Sequence, residues 1–364
     1  MSRQRPETRH RTRDPAAPVR RRWWRRWLWL LAPVGALLLG VVVWTWWTER
    51  HPEEERELRV LVHEQLLEWF PEEMALPPDE FGFIPRASES LAQGRPDVLL
   101  LHGLDEPGGI WDELVPVLDE AGYVVWEFRY PNDQAIERST DLLAEYWPRL
   151  DADHPVILVG HSMGGLVIRD FVTRWRYPEE AGPRVEGPPV AGAILVATPN
   201  HGSEWVRLRV WLELRELLAT AAQQRFTLFV GLREGTGAAK IDLRPDSTYL
   251  AELNDRRWPS DIPIRLIAGV LAEPTAEMRQ GIEAIAEEFG RGELVEALEA
   301  WWTELGEGLG DGAVPVSSVM LADAPPPVLV NASHRGLLVT LPLTDGLPPA
   351  IPVILQTLNE WSEP

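Results

Sequence analysis

Residues 160–164 read Gly-His-Ser-Met-Gly, with Gly165 behind them. They fall directly after a run of strand formers, Val156-Ile-Leu-Val159, and directly before a stretch with helical apolar spacing. A serine in that context must sit on a sharp strand-to-helix turn, and the flanking glycines leave room for the close backbone approach such a turn needs. The turn lifts the Ser162 hydroxyl above the end of the strand. It also aims the positive end of the following helix at any negative charge that develops there.

The rest of the chain repeats this strand-then-helix order. Strands are predicted at 97–101, 122–128, 155–159, 190–198, 262–268 and 327–331, with helices at 110–120, 134–150 and 166–175. Such alternation implies an α/β fold with a mostly parallel sheet flanked by helices. Segments 203–260 and 274–309 break the pattern, the second with helices predicted at 276–289 and 293–305. Both follow the carboxyl end of a strand, where such sheets build their sites, so both are candidate cap elements.

A serine nucleophile needs a base, and the base an orienting acid, in the chain order Ser, acid, His. His334 follows the last predicted strand and is the expected base. His201 comes too early and is expected to shape the site wall, while His161 should point away from the hydroxyl. Asp311, in Asp-Gly-Ala-Val-Pro-Val-Ser-Ser, is the expected acid, with Glu273 and Asp323 as alternatives. Oxyanion donors are expected from the backbone N–H of Met163, next to the nucleophile, and of Leu104, in the glycine-bearing loop after the first predicted strand. His102 in that loop is expected to be structural.

The amino terminus carries a different signal. Residues 1–26 hold ten arginines against Glu7 and Asp14, a local balance of +8 on a chain whose total is −21. Residues 27–48 contain no charge and have tryptophans crowded at both ends. At about 1.5 Å per residue these 22 residues match a hydrocarbon core of roughly 30 Å, and indole rings favour its two interfaces. The expectation is an uncleaved transmembrane helix with a basic cytoplasmic tail and everything beyond it on the non-cytoplasmic, periplasmic-type side. Residues 49–90 read as an amphipathic helix (52–70), packed on the domain or lying near the bilayer, followed by a Pro77-Pro78 connector; residues 91–364 read as the catalytic domain. The acidic body argues against nucleic acid as a partner. The absence of cysteine excludes disulfides, thiolate metal sites and a Cys nucleophile.

The stretches LLLHGLDEPG, YPNDQ, VILVGHSMGGLVIRDF, ILVATPNHGSEW, DLRPDSTYLAELN, DGAVPVSS and NASHRGLL together resemble the lipase/esterase branch of the α/β-hydrolase superfamily. They are similar to bacterial triacylglycerol lipases and to GPI-inositol deacylase-like hydrolases over residues 95–340. The resemblance implies Ser162 as nucleophile, Asp311 as acid, His334 as base, Leu104 and Met163 as oxyanion donors, and an acyl ester or lipid substrate without a cofactor. Some such lipases hold calcium near the catalytic His; Arg335-Gly-Leu-Leu338 supplies no ligand for it, so no metal is expected. Residues 274–309 set Asp311 farther from its strand than the resemblance leads one to expect. An acyltransferase using the same triad and an inactive membrane-tethered binding protein are the rival functions.

Overall fold

In the computed structural model the described residues are 35, 39, 40, 42–87, 95–104, 106, 109–179, 181–204, 228–271, 310–341 and 346–362. The chain divides into two units, Met1–Pro52 and Glu53–Pro364. In the first, residues 42–48 are helical, with Val42, Val43, Trp44 and Trp46 exposed. Most of the expected membrane span, 27–48, lies outside the described residues, and among those described no helix is long and apolar enough to cross a membrane.

The second unit is built on a seven-stranded sheet. Its strands are β1 (Gly82–Ala87), β2 (Asp97–Leu101), β3 (Val125–Arg129), β4 (Val156–His161), β5 (Val190–Val196), β6 (Ile264–Val270) and β7 (Val328–Asn331), in the spatial order β1-β3-β2-β4-β5-β6-β7. All neighbours are parallel except β1, which pairs antiparallel with β3. The six predicted strands are all present. β1 is additional to them. Its burial is uneven and Pro85 interrupts it, beside a register shift between Pro85 and Ala87. A proline is tolerated there because it lacks a ladder donor and the strand is an edge.

Alternate side chains of each strand face opposite layers. Leu99, Leu101, Leu158, Leu195 and Leu266 lie on the face covered by α3 (Ile136–Tyr146) and α4 (Met163–Asp170). Val98, Leu100, Ile157, Val159, Ile194 and Ile267 lie on the other, with α2 (Leu114–Glu120) and α8 (Ala350–Ser362). Buried on both faces, β2, β4 and β5 read as continuous apolar runs, which is why they were legible. Helix α4 runs on into a π-helical turn, Phe171–Arg176.

Helix α1 (Pro52–Trp69) forms where predicted but docks through charge, not through an apolar face. Glu55 is buried, Arg56 pairs with fully buried Asp242 and with Glu137 (3.0 Å), and Arg244 reaches Glu55 at 3.4 Å. Arg59 donates to Glu55 (2.7 Å) and to the Thr236 carbonyl. Leu58, Leu61, Val62 and Trp69 are left exposed on the outer side. Asp242, Arg244 and Thr236 come from the segment expected as a cap, whose described part holds α5 (Leu228–Glu234), α6 (Ala238–Asp242) and α7 (Thr248–Asp255), and Glu137 comes from α3. The helices predicted at 276–289 and 293–305 lie outside the described residues.

Candidate active site

The pairing registers bring the strand ends Leu101, His161, Val196, Val270 and Asn331 to one edge of the sheet. The loops that follow these five strand ends all deliver something to a cavity of about 410 Å³. Leu104 and Glu106 come from the loop after β2, Ser162 from the turn after β4, and Pro199 and Ser203 from the loop after β5. Leu271 and Asp311 come from beyond β6, and His334 and Arg335 from beyond β7. Leu243, at the end of α6, adds to the apolar lining given by Leu104, Leu271 and Val314.

Ser162 holds φ 53° and ψ −125°, a backbone conformation in which a side chain is strained. The neighbouring strands pin it there: the Ser162 N–H donates to the Val196 carbonyl at 2.8 Å, and the Gly165 N–H donates to the Ser162 carbonyl at 3.1 Å. A Cβ on Gly164 would stand 2.2 Å from the Leu101 carbonyl oxygen and 2.7 Å from that of His102, so only glycine lets α4 start this close to β2. A Cβ on Gly103 would meet the Ser162 Cβ at 2.9 Å, which places the loop after β2 directly against Ser162. Met163 opens α4, and the first N–H groups of a helix have no intrahelical acceptor. Among the described residues no hydrogen bond engages the N–H of Leu104 or of Met163.

Asp311 is buried and fully engaged. Its Oδ1 accepts from the Ala313 and Val314 amides at 2.9 and 2.7 Å, and its Oδ2 accepts from His334 Nδ1 at 2.7 Å. A second bond, from the His334 N–H to the Asp311 carbonyl at 3.0 Å, fixes the two backbones together. With Nδ1–H committed to the carboxylate, His334 turns its Nε2 lone pair outward. The Leu271 N–H donates to the Gly310 carbonyl at 2.8 Å, which sets Asp311 beside the end of β6 despite its distance along the chain. Asp323 lies exposed in a turn, and Glu273 lies outside the described residues. Among the described residues no hydrogen bond joins Ser162 to His334; such bonds often tighten only when substrate is bound.

The remaining histidines divide by burial. His161 also lines the cavity: its Nε2 donates to the His334 carbonyl at 3.2 Å, and its ring lies 4.7 Å from that of His334. Burial, reinforced by neighbouring His334, holds it well below the usual imidazole range, so it is a neutral prop under the His334 loop. His102 is likewise kept neutral by burial and stacks on Tyr130 with ring centres 4.4 Å apart. His201, expected in the wall, is exposed, and its neighbours Pro199 and Ser203 line the cavity instead. Glu106, Leu243, Leu271 and Arg335 were not anticipated. Only Arg335, adjacent to His334, carried a positional hint.

The model of a family described as Alpha/beta hydrolase family matches residues 98–354. Phospholipase YtpA of Bacillus subtilis (strain 168) is 25% identical over 181 residues, which make up 46% of this chain and 62% of that protein. The chain therefore spans less than two thirds of the length of this relative. Among solved structures, the mature Bacillus licheniformis lipase BlEst2 aligns with a TM-score of 0.46 at 16% identity, over 76% of this chain and 97% of that one. Phospholipase PlaB from Legionella pneumophila aligns with a TM-score of 0.48 at 17% identity, over 73% of this chain and 59% of that one.

Proposed function

Because the chain belongs to the alpha/beta hydrolase family, we propose that it is a membrane-anchored serine hydrolase that cleaves carboxylic esters of lipid or acyl type. The observation that carries this reading is the His334–Asp311 pair, buried at the acid end, in the same cavity as the strained Ser162. Ser162 Oγ attacks the ester carbonyl carbon while His334 Nε2 takes the hydroxyl proton. The N–H groups of Leu104 and Met163 hold the oxyanion. Collapse of the tetrahedral intermediate breaks the C–O bond, and His334 returns the proton to the departing alcohol. Water, deprotonated by the same imidazole, then releases the acid from the acyl-enzyme. Asp311 keeps Nδ1 protonated and steadies the imidazolium, remaining ionised throughout.

The apolar lining of the cavity, Leu104, Leu243, Leu271 and Val314, suits an acyl chain. The charge-free run at 27–48 and the outward apolar stripe of α1 support attachment to a bilayer, with the catalytic unit on the non-cytoplasmic side. A phospholipase as relative accords with a lipid substrate.

The full chain and its Ser162→Ala variant, assayed on p-nitrophenyl esters of increasing chain length with and without chelator, test the mechanism. The expected result is chelator-insensitive turnover that falls by at least about 10³-fold in the variant. Equal turnover by two well-folded proteins would remove Ser162 from the chemistry.

A further inference from the structure

Two charged side chains at the cavity mouth belong neither to the triad nor to the apolar wall. Glu106 lies two residues beyond Leu104, on the loop after β2; Arg335 lies one residue beyond His334, on the loop after β7. In the sheet these strands are separated by β4, β5 and β6, so no ladder couples the two loops. Arg335 nevertheless joins the two loops by donating to the Glu106 carboxylate. A second tie lies farther out, where Thr340 gives its N–H and its hydroxyl to Glu113, each at 2.6 Å.

The geometry points to a clasp: the Glu106–Arg335 pair holds the loop of the Leu104 amide and the loop of the His334 imidazole at one separation across the substrate. Both are positioning residues, acting through the backbones they span. The inference rests on the roles proposed above for Leu104 and His334. Its chemistry follows from where charge moves in the reaction. The oxyanion forms on the Leu104 side while the proton lands on the His334 side, so a change in the gap costs transition-state stabilisation more than ground-state binding. Glu106 is 20% exposed and Arg335 53%, so the pair is only moderately strong and sensitive to salt.

The test measures kcat and KM on p-nitrophenyl esters for the full chain, Glu106→Gln, Arg335→Gln, the double variant and the swap Glu106→Arg/Arg335→Glu, in 0.05 M and about 1 M NaCl. Each single neutralisation should lower kcat roughly threefold to fivefold with KM little changed. The double variant should be no slower than the slower single. The charge swap should recover most of the loss, and high salt should bring the parent towards the variants. A merely structural role would lower the melting temperature without this coupling or rescue. Unchanged kcat in both singles, or losses that multiply in the double, would overturn the clasp. So would a loss confined to KM for esters bearing an anionic headgroup, which would make Arg335 a substrate-binding residue. A parent enzyme with no Ser162-dependent turnover would instead sink the functional reading itself.

Discussion

Ser162, the proposed nucleophile, sits in a backbone conformation that disfavours any side chain. Its φ of 53° and ψ of −125° are comfortable for glycine and strained for any side chain, at a cost on the order of 1–3 kcal/mol. Ser162→Gly should therefore be inactive yet more stable than the parent, by about 1 kcal/mol in urea unfolding. A variant less stable than the parent would mean that the hydroxyl or its Cβ is held more favourably than the backbone suggests. At this scale much was legible in the sequence. Ser162, Asp311 and His334 each sit in a short motif whose local geometry does most of the placing, and they share one cavity. Glu106, Leu243 and Leu271 were not legible, because a cavity wall is an assembly of distant loops and none of these residues is chemically distinctive alone. His201 misled for the same reason: a histidine in a conspicuous loop says nothing of which way the loop faces.

Among the elements, the strands that are buried on both faces were read from their apolar runs. The elements held by polar contacts were not. β1 was missed because an edge strand with a proline carries a weak pattern, and α1 was placed without its docking contacts. An apolar stripe normally faces the core; here Arg56 and Arg59 lie inward, towards the buried Asp242 carboxylate and the Thr236 carbonyl. Asp242 has its carboxyl pushed up to about 6, burial outweighing the attraction of Arg56. The folded chain thus binds a proton there more tightly than the unfolded chain, whose carboxyl titrates near 4. That contribution to stability is fully present below about pH 4 and is lost as pH rises to about 6, on the order of 2–3 kcal/mol in all. Arg56→Met removes the counter-ion and pushes the carboxyl higher still. Denaturant midpoints should show a deficit of about 3 kcal/mol above pH 6 that shrinks below pH 5. A deficit independent of pH would show that Arg56 supports α1 by packing alone.

For the molecule as a whole, charge separates its two ends: a basic amino-terminal tail precedes an uncharged run and then a strongly acidic body. If the run anchors the protein, full-length chain should stay with membranes through carbonate washing, and added protease should reach the acidic body only from the non-cytoplasmic side. Release by carbonate would reduce the attachment to a peripheral one. The sheet adds a separate asymmetry. The proposed base, His334, lies just beyond β7, a four-residue strand that among the described residues pairs with β6 alone and exposes Leu329, whereas Ser162 follows β4, held on both sides. Foldedness and competence are therefore different properties of this molecule. When it ages or is warmed, the His334 side should fray while the centre of the sheet is still whole, leaving a protein that is intact by shape but has lost its proposed base.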